Sequence, residues 1–224
     1  MNKLFALAAC GAVMVATPAL AEDKPGIEQG DVLLRVRTIA VVPAGGAGPI
    51  LPALPTESVT VGHSVVPEVD FTYMVTNHIG VELIAATSRH EIATVGPGTK
   101  NVGNIITTWV LPPTLTAQYH FNPKGKLRPY LGAGVNLTVF WNAHSTAALE
   151  RVAGRTPVEL PVSVGYALQA GADIDISKKF FLNVDLKYVD IGTRARLYSA
   201  GLGLQRVQVD VNPFVVGVGL GLRL

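Results

Sequence analysis

Hydrophobic and polar residues alternate between positions 109 and 140, in two segments that a short polar turn at 122–127 separates. In the first segment apolar side chains occupy positions 115, 117, 119 and 121, and polar side chains occupy the even positions from 114 to 120. In the second, apolar residues at the odd positions from 131 to 139 alternate with Tyr130, glycines and small polar residues. A period of two predicts β-strands with one apolar face. Segments of about ten residues with aromatic residues near their ends are typical of a barrel wall that crosses a membrane.

The same alternation predicts eight strands. Two of them flank the turn just described, and the others span about residues 31–42, 67–75, 79–88, 165–176, 180–191 and 206–224. Short turns follow the second, fourth and sixth strands, and long connections occupy 43–66, 89–105, 142–164 and 192–205. In the third long connection we expect a short helix, with Ser145 as its cap and Gly154 beyond its end. This layout predicts an all-β fold, an eight-stranded antiparallel transmembrane β-barrel with short periplasmic turns and long extracellular loops.

The polar face of the predicted strands carries charges of both signs. A soluble lipocalin-like barrel also has eight strands, but its apolar face points inward. In a membrane barrel these charges face a lumen that is just wide enough for side chains, so we expect them to pair and fill it as a structural plug. A role in conducting protons or ions is the alternative. The predicted lumen charges are Arg35, Arg37, Glu68, Asp70, Glu82, Asp173, Asp175, Asp185, Lys187 and Arg223.

The first residues predict export. Lys3 precedes an apolar run over 4–15, and Ala19-Leu20-Ala21 matches a signal-peptidase site. We therefore predict a signal peptide at 1–21 and a single barrel domain at 22–224. If the only cysteine, Cys10, leaves with that signal, the mature chain has no cysteine, and disulfides, thiol catalysis and cysteine metal sites are excluded. After the signal, no apolar run is long enough for a transmembrane helix.

Composition excludes several classes of function. The net charge is +2 and no dense run of lysine or arginine occurs, so we expect no nucleic acid as a partner. The five histidines are scattered and show no spacing typical of a catalytic or metal site. We therefore expect no catalytic residues, no metal and no cofactor. A lipid-modifying barrel enzyme is the least favoured alternative, because a catalytic triad is assembled in space and not in sequence.

The order of segments resembles the outer membrane protein W (OmpW) family across nearly the whole mature chain. The pieces that carry the resemblance are Arg35-Val36-Arg37, Arg128-Pro129-Tyr130 and the stretches at 111–116, 118–121, 132–136, 165–171 and 212–219. The resemblance implies a barrel of the bacterial outer membrane that helps small hydrophobic molecules to enter. The family usually ends in an aromatic residue that is read by the outer-membrane assembly machinery, whereas this chain ends in Leu224. It also commonly has tryptophan where Phe214 stands.

The first long loop is unusually apolar. Between Val41 and Pro67 its only charged residue is Glu57, and the loop is rich in proline. Exposed loops are normally polar, so this one is expected either to cap the barrel mouth by packing on its neighbours or to capture an apolar ligand. A structural or adhesion barrel without transport is the alternative function from a different class.

Pro112-Pro113 predicts a break in the barrel wall, because proline cannot donate a ladder hydrogen bond. A lumen lined with charges is a poor path for an apolar solute, so we expect the solute to leave sideways through this break into outer-membrane lipid. A mere bend of the strand is the alternative. The identity of the solute and the oligomeric state stay open. The residues predicted to bind the small hydrophobic solute are Ile50, Leu51, Leu54, Trp109, Leu111, Pro112, Pro113 and Phe140.

Overall fold

The computed structural model describes residues 26–100 and 102–224. The predicted signal peptide at 1–21 lies outside the described residues, so the boundary between signal and barrel domain stays a prediction. The elements in chain order are β1 (Val32–Val42), β2 (Ser58–Val61), β3 (Ser64–Met74), β4 (Ile79–Ala86), β5 (Ser88–Val95), β6 (Asn104–Leu111), β7 (Thr114–His120), β8 (Leu127–Ser145), α1 (Ala147–Ala153), β9 (Val158–Glu159), β10 (Ser163–Asp175), β11 (Phe180–Val189), β12 (Gly192–Ser199), β13 (Gly203–Asp210) and β14 (Phe214–Arg223).

Eight antiparallel strands close into the barrel, in the order β1, β3, β4, β7, β8, β10, β11, β14 and back to β1. The closing ladder runs from Leu33 opposite Arg223 to Val42 opposite Phe214. This confirms the predicted eight-stranded antiparallel barrel. Short turns join β3 to β4, β7 to β8 and β10 to β11, and the long connections all emerge at the other end. We call these the short-turn end and the long-loop end.

The outer surface of the barrel is apolar and carries aromatic residues near both ends. Tyr119 contacts Phe121 edge-on near the short-turn end, with 5.2 Å between the ring centroids. Near the long-loop end Tyr188 lies between Tyr166 and Phe214, with centroid distances of 6.0 and 5.5 Å. Two aromatic rows around an apolar band are typical of a membrane barrel. A lipocalin-like barrel, whose apolar face points inward, is therefore excluded.

The long connections are more ordered than the sequence predicted. The β5–β6 hairpin continues the wall above β4 and β7, β2 pairs with β5, and β12 and β13 form a second sheet with β9. Buried apolar side chains from these elements pack together, and this joins the connections into one extension of the barrel. They are Ile50, Val59, Ile92, Ile105, Ile106, Ala195, Leu197, Val207 and Val209.

Two local predictions were wrong. The predicted eighth strand at 206–224 is interrupted, because Asn212 adopts a positive φ of 38° and Pro213 has no N–H to donate. The helix is capped by Thr146 and not by Ser145: the Thr146 hydroxyl accepts from the Leu149 N–H at 3.3 Å. Gly154 follows the helix as predicted. Among the described residues, no helix has the length and apolar character needed to cross a membrane.

The start of the described chain folds under the short-turn end. The Ile27 N–H donates to the Pro123 carbonyl at 2.7 Å, and the Ile27 side chain is buried against Leu33, Met74 and Phe181. These apolar side chains fill the lumen below the charged residues described next. The sequence pattern did not indicate this contact, because residues 26–30 lie outside any alternating segment.

Candidate functional site: an apolar chamber above a charged layer

The lumen contains an apolar chamber in the half nearer the long-loop end. Inward side chains of the barrel strands form its lower wall, among them Ile39, Ile84 and Val215. Side chains of the extension, including Ile92 and Val209, form the upper wall. The space between them is about 940 Å³, counting the part that is open to solvent. The volume open to the centre of a water molecule is about 70 Å³. A single buried water needs about 10–15 Å³ on this measure, so the chamber has room for several waters or one small organic molecule.

The chamber wall also carries a few polar side chains. The hydroxyls of Thr114 and Thr193 donate to backbone oxygens at 2.9 Å. His90 is buried, with Nε2 2.9 Å from the Ser88 hydroxyl and Nδ1 2.9 Å from the Gly62 carbonyl oxygen. Burial lowers the pKa of His90 below its usual range. Sequence reasoning missed this group. Its signal was the spacing of two, which places Ser88 and His90 on one face of a strand.

Lys187 and Glu68 form the floor of the chamber. The Lys187 ammonium lies 2.8 Å from the Glu68 carboxylate and 2.7 Å from that of Asp185, and all three side chains are buried. Glu68 also accepts from Arg37 Nε at 2.8 Å. The floor is therefore a charged surface whose members already bind one another.

Below the floor, arginine side chains fill the centre of the lumen. Arg37 Nη2 lies 2.7 Å from Asp70, and Arg35 lies 3.0 Å from both Asp70 and Asp173. The strand register explains the Arg35–Asp70 pair, because β1 places Arg35 opposite Asp70 and Arg37 opposite Glu68 on β3. Asp173 reaches Arg35 from β10, which is not a neighbour of β1. We call the buried charges from Glu68 and Lys187 down to Asp173 the charged layer.

Neutral polar side chains complete the charged layer. The Tyr130 hydroxyl donates to Asp185 at 2.8 Å and accepts from Asn183 at 3.0 Å, and Gln169 donates to Asp185 at 2.8 Å. Sequence reasoning did not single these residues out, although the period of two places Tyr130 on the inward face. Most of the buried carboxylates accept from several donors, so side chains that bind one another fill this part of the lumen.

The predicted lumen charges occupy three environments. Arg35, Arg37, Glu68, Asp70, Glu82, Asp173, Asp185 and Lys187 are buried in the charged layer. Asp175 is partly exposed and pairs at 2.6 Å with Arg128, an arginine that was not among the predicted lumen charges. Arg223 donates to the Lys178 carbonyl at the short-turn end. Charges therefore fill the half of the lumen nearer the short turns, and the half nearer the long loops is mostly apolar.

The barrel wall is interrupted beside the chamber. The β4–β7 ladder ends at Ile84 opposite Thr114, and the β5–β6 ladder begins at Ser88 opposite Val110. The residues between, 85–87 and 111–113, have no strand partners across this boundary. The other edge stays bonded to β8, where the Leu137 N–H donates to the Pro113 carbonyl at 3.1 Å. The two prolines therefore interrupt one side of the wall only.

Only part of the predicted binding set borders the chamber. Pro112 and Phe140 line it, and Pro113 is the next residue at the break. Ile50 is buried in the apolar cluster of the extension, and Leu54 packs against that cluster. The other members lie on outer surfaces or beside them: Trp109 stacks on Trp141 at 5.4 Å, Leu111 is exposed, and Leu51 is 48% exposed.

The first long loop packs against the other long connections. Its buried Glu57 accepts from the Thr99 hydroxyl at 2.7 Å and from the Gly98 N–H at 3.2 Å, and these bonds lower the pKa of Glu57. The loop is thereby tied to the β5–β6 hairpin. Val61, near its end, lines the chamber. Packing on neighbouring loops therefore accounts for most of the apolar character of this loop.

Comparison with known proteins agrees with this architecture. The model of the OmpW family matches residues 28–224. Outer membrane protein W of Escherichia coli (strain K12) is 38% identical over 215 residues, which cover 95% of this chain and 97% of that protein. Dibenzothiophene metabolism operon protein PahQ of Pseudomonas aeruginosa is 30% identical over 112 residues, covering 49% of this chain and 48% of that protein.

A solved structure shares the whole fold. The crystal structure of the outer membrane protein OprG from Pseudomonas aeruginosa superposes with a TM-score of 0.84 at 27% identity. The match covers 90% of this chain and 99% of that chain. Family, fold and membrane-facing surface lead to the same assignment, and the chain belongs to the OmpW family of bacterial outer-membrane β-barrels.

Proposed function

We propose that the protein mediates passive uptake of small hydrophobic molecules, which enter the chamber from the long-loop end and leave sideways into the membrane. The observation that carries the proposal is the apolar chamber, with the charged layer beneath it and the wall break beside it. The proposal gives each of these features a role in one path.

The charged layer makes a straight path through the barrel unfavourable. An apolar solute would have to separate the Lys187–Glu68 and Arg37–Asp70 pairs without replacing their interactions. Removing one partner of a buried ion pair costs about 3–5 kcal/mol, and a passing solute would disturb several such pairs. Burial in the apolar chamber is favourable instead, at about 25 cal/mol per Å² of apolar surface.

The wall break supplies the sideways path. Pro112 and Thr114 border both the chamber and the unpaired segment, so a solute in the chamber contacts the break directly. Opening there separates no ladder hydrogen bonds between 85–87 and 111–113. The name of PahQ, which places that relative in a dibenzothiophene metabolism operon, supports an apolar substrate class.

The double substitution Pro112→Val/Pro113→Val tests the path. Valine restores two N–H donors, so we expect the wall to close and uptake of an apolar test compound such as p-xylene to fall severalfold. Uptake is measured in cells that lack the gene and carry each variant on a plasmid. Pro129→Val is the matched control, since Pro129 lies on barrel strand β8 away from the break.

The folded state of each variant is checked by heat-modifiable gel mobility. Unchanged uptake by a correctly assembled double variant would refute the sideways exit. Equal uptake with and without the gene, together with a loss of surface attachment, would favour a structural or adhesion role.

A further inference from the structure

Each hydroxyl group in the described chamber wall uses its proton in a hydrogen bond within the protein. The Thr108 hydroxyl lies within donating distance of the backbone oxygens of Trp109 at 3.2 Å and Trp141 at 3.4 Å. The Thr114 hydroxyl donates to the Pro112 carbonyl and the Thr193 hydroxyl donates to the Pro161 carbonyl, each at 2.9 Å. A hydroxyl has one proton and two lone pairs. These three lining residues can therefore offer a molecule in the chamber only hydrogen-bond acceptors from their hydroxyl groups.

The Ser88–His90 pair also offers a hydrogen-bond acceptor and no donor to the chamber. The Gly62 carbonyl is only an acceptor, so the His90 Nδ1 at 2.9 Å carries the ring proton. In the neutral ring, which burial favours, Nε2 then accepts, and the Ser88 hydroxyl at 2.9 Å must donate to it. The Ser88 oxygen is left with free lone pairs. The pair thus adds a fourth acceptor to the wall and no donor.

The remaining polar residues of the chamber lie on its floor. Among the lining residues that the structure describes, Lys187 is the one cationic side chain, and two of its three N–H groups are directed at carboxylates at 2.7 and 2.8 Å. At most one N–H of Lys187 is therefore open to a molecule in the chamber, against four acceptors on the wall. Its partner Glu68 is itself an acceptor. The rest of the lining is aliphatic or aromatic.

We propose that the chamber selects apolar molecules with a hydroxyl donor, such as alcohols and phenols, over isomers whose oxygen can only accept a hydrogen bond. The proposal rests on the uptake function proposed above and names its substrate class. A phenol that leaves water finds an acceptor among the four wall hydroxyls, such as Ser88 or Thr108, whereas the oxygen of an ether has at most the remaining N–H of Lys187 at the floor. A wall built to bind one kind of polar group discriminates against analogues that lack it.

Two isomers test the preference for a hydroxyl donor over an ether oxygen, because they do not differ in atomic composition. 4-Ethylphenol and 4-methylanisole have the same formula, and only the first has an O–H. We expect gene-dependent uptake of 4-ethylphenol to exceed that of 4-methylanisole by about 2- to 10-fold, the range of one net hydrogen bond. Binding of both compounds to the full barrel in lipid nanodiscs, measured by titration calorimetry, should show the same order.

Wall variants connect the preference to named side chains. Thr108→Val, and Ser88→Ala/His90→Leu, which removes the whole pair, should each lower the preference. Thr156→Val is the matched control, because the buried Thr156 hydroxyl donates to the Gly154 carbonyl at 2.8 Å and does not line the chamber. If the double variant fails to assemble, Thr108→Val alone carries the test.

The outcomes separate the two proposals. Equal, gene-dependent uptake of both isomers, or a preference for the ether, would overturn the substrate class while leaving the uptake function intact. A preference that survives in all assembled wall variants would also overturn it. Gene-independent uptake of p-xylene and both isomers would refute the uptake function itself.

Discussion

The Lys187–Glu68 pair at the chamber floor should be far more important for stability than an ion pair on the surface. In Lys187→Met the carboxylates of Glu68 and Asp185 lose a buried counter-charge at 2.8 and 2.7 Å. Both carboxylates keep other donors, Arg37 for Glu68 and Tyr130 for Asp185, but the positive charge between them is lost. Breaking one partner of a buried pair costs about 3–5 kcal/mol.

Arg196→Met is the matched control for this substitution. Arg196 and Glu159 form an ion pair at 3.8 Å with about half of each side chain exposed, at 48% and 57%. Exposed pairs contribute about 0–1 kcal/mol. We therefore expect a difference of roughly 2–5 kcal/mol in the free energy of unfolding between the two variants, the gap between those ranges.

A second substitution isolates the cause. In Lys187→Met/Glu68→Met one positive and one negative charge leave the charged layer together, so only Asp185 loses its bond to Lys187, and replacing both partners of a buried pair by apolar residues is often neutral. The double variant should therefore recover much of the stability that Lys187→Met loses. Urea unfolding in lipid vesicles, followed by tryptophan fluorescence and gel mobility, measures all three variants. Equal stability of Lys187→Met and Arg196→Met would refute the reasoning that the floor is a desolvated ion pair.

Two further predictions concern packing and pH. In Gly171→Ala the new Cβ would lie 2.4 Å from the Tyr130 ring, so we expect the free energy of unfolding, measured in urea, to fall by about 1–3 kcal/mol. Gly46→Ala is the control and should change this free energy little, because no atom lies within 4 Å of its new Cβ. The bonds of Glu57 lower its pKa from 4.5, so the contact of the first loop with Thr99 should be fully present above about pH 4.5 and lost as the pH falls through the lower folded value. Limited proteolysis of the loop across this range measures the loss, and Glu57→Gln should show the low-pH pattern at pH 7; equal protection at every pH would contradict the prediction.

The barrel could be predicted from the sequence because every membrane-spanning strand has a period of two. Whether a residue lies at an odd or an even position along its strand decides whether its side chain faces the lumen. This alternation places Arg35, Asp70 and Lys187 on the inward face without any knowledge of strand neighbours, and all three are buried in the structure. The short turns followed from the same pattern, since each interrupts the alternation for only a few residues. These features are local, and a local pattern determines them.

The long connections could not be predicted in the same way. β12 and β13 also alternate, with Ala195, Leu197 and Val207 inward, but nothing local indicates that they form a separate sheet. Their apolar faces meet Ile50 and Ile92 from distant parts of the chain. Such contacts depend on tertiary packing, so the apolar first loop was open to two interpretations and Ile50 was assigned to a binding role.

The division of the lumen combines local and non-local information. Along β1 the inward residues change from Arg35 and Arg37 to Ile39 and Val41, and along β11 they change from Lys187 to Val189. Each change is visible in the sequence. What the sequence lacks is the register, which places Arg37 opposite Glu68 and Ile39 opposite Val66.

The changes on different strands therefore fall at one height, and this alignment creates a chamber above the charged layer. A single strand with the same order of residues would only show a mixed inward face. The register makes the chamber, and the charged layer closes it on the side away from the long loops.

The wall break at Pro112-Pro113 lies at the level of the chamber and above the charged layer, beside Ile84 and Thr114. An opening one or two residue pairs nearer the short turns would meet Glu82 and Thr116, whose side chains bind each other at 3.0 Å. The position of the prolines relative to the change from charged to apolar residues is thus the feature on which a sideways path depends.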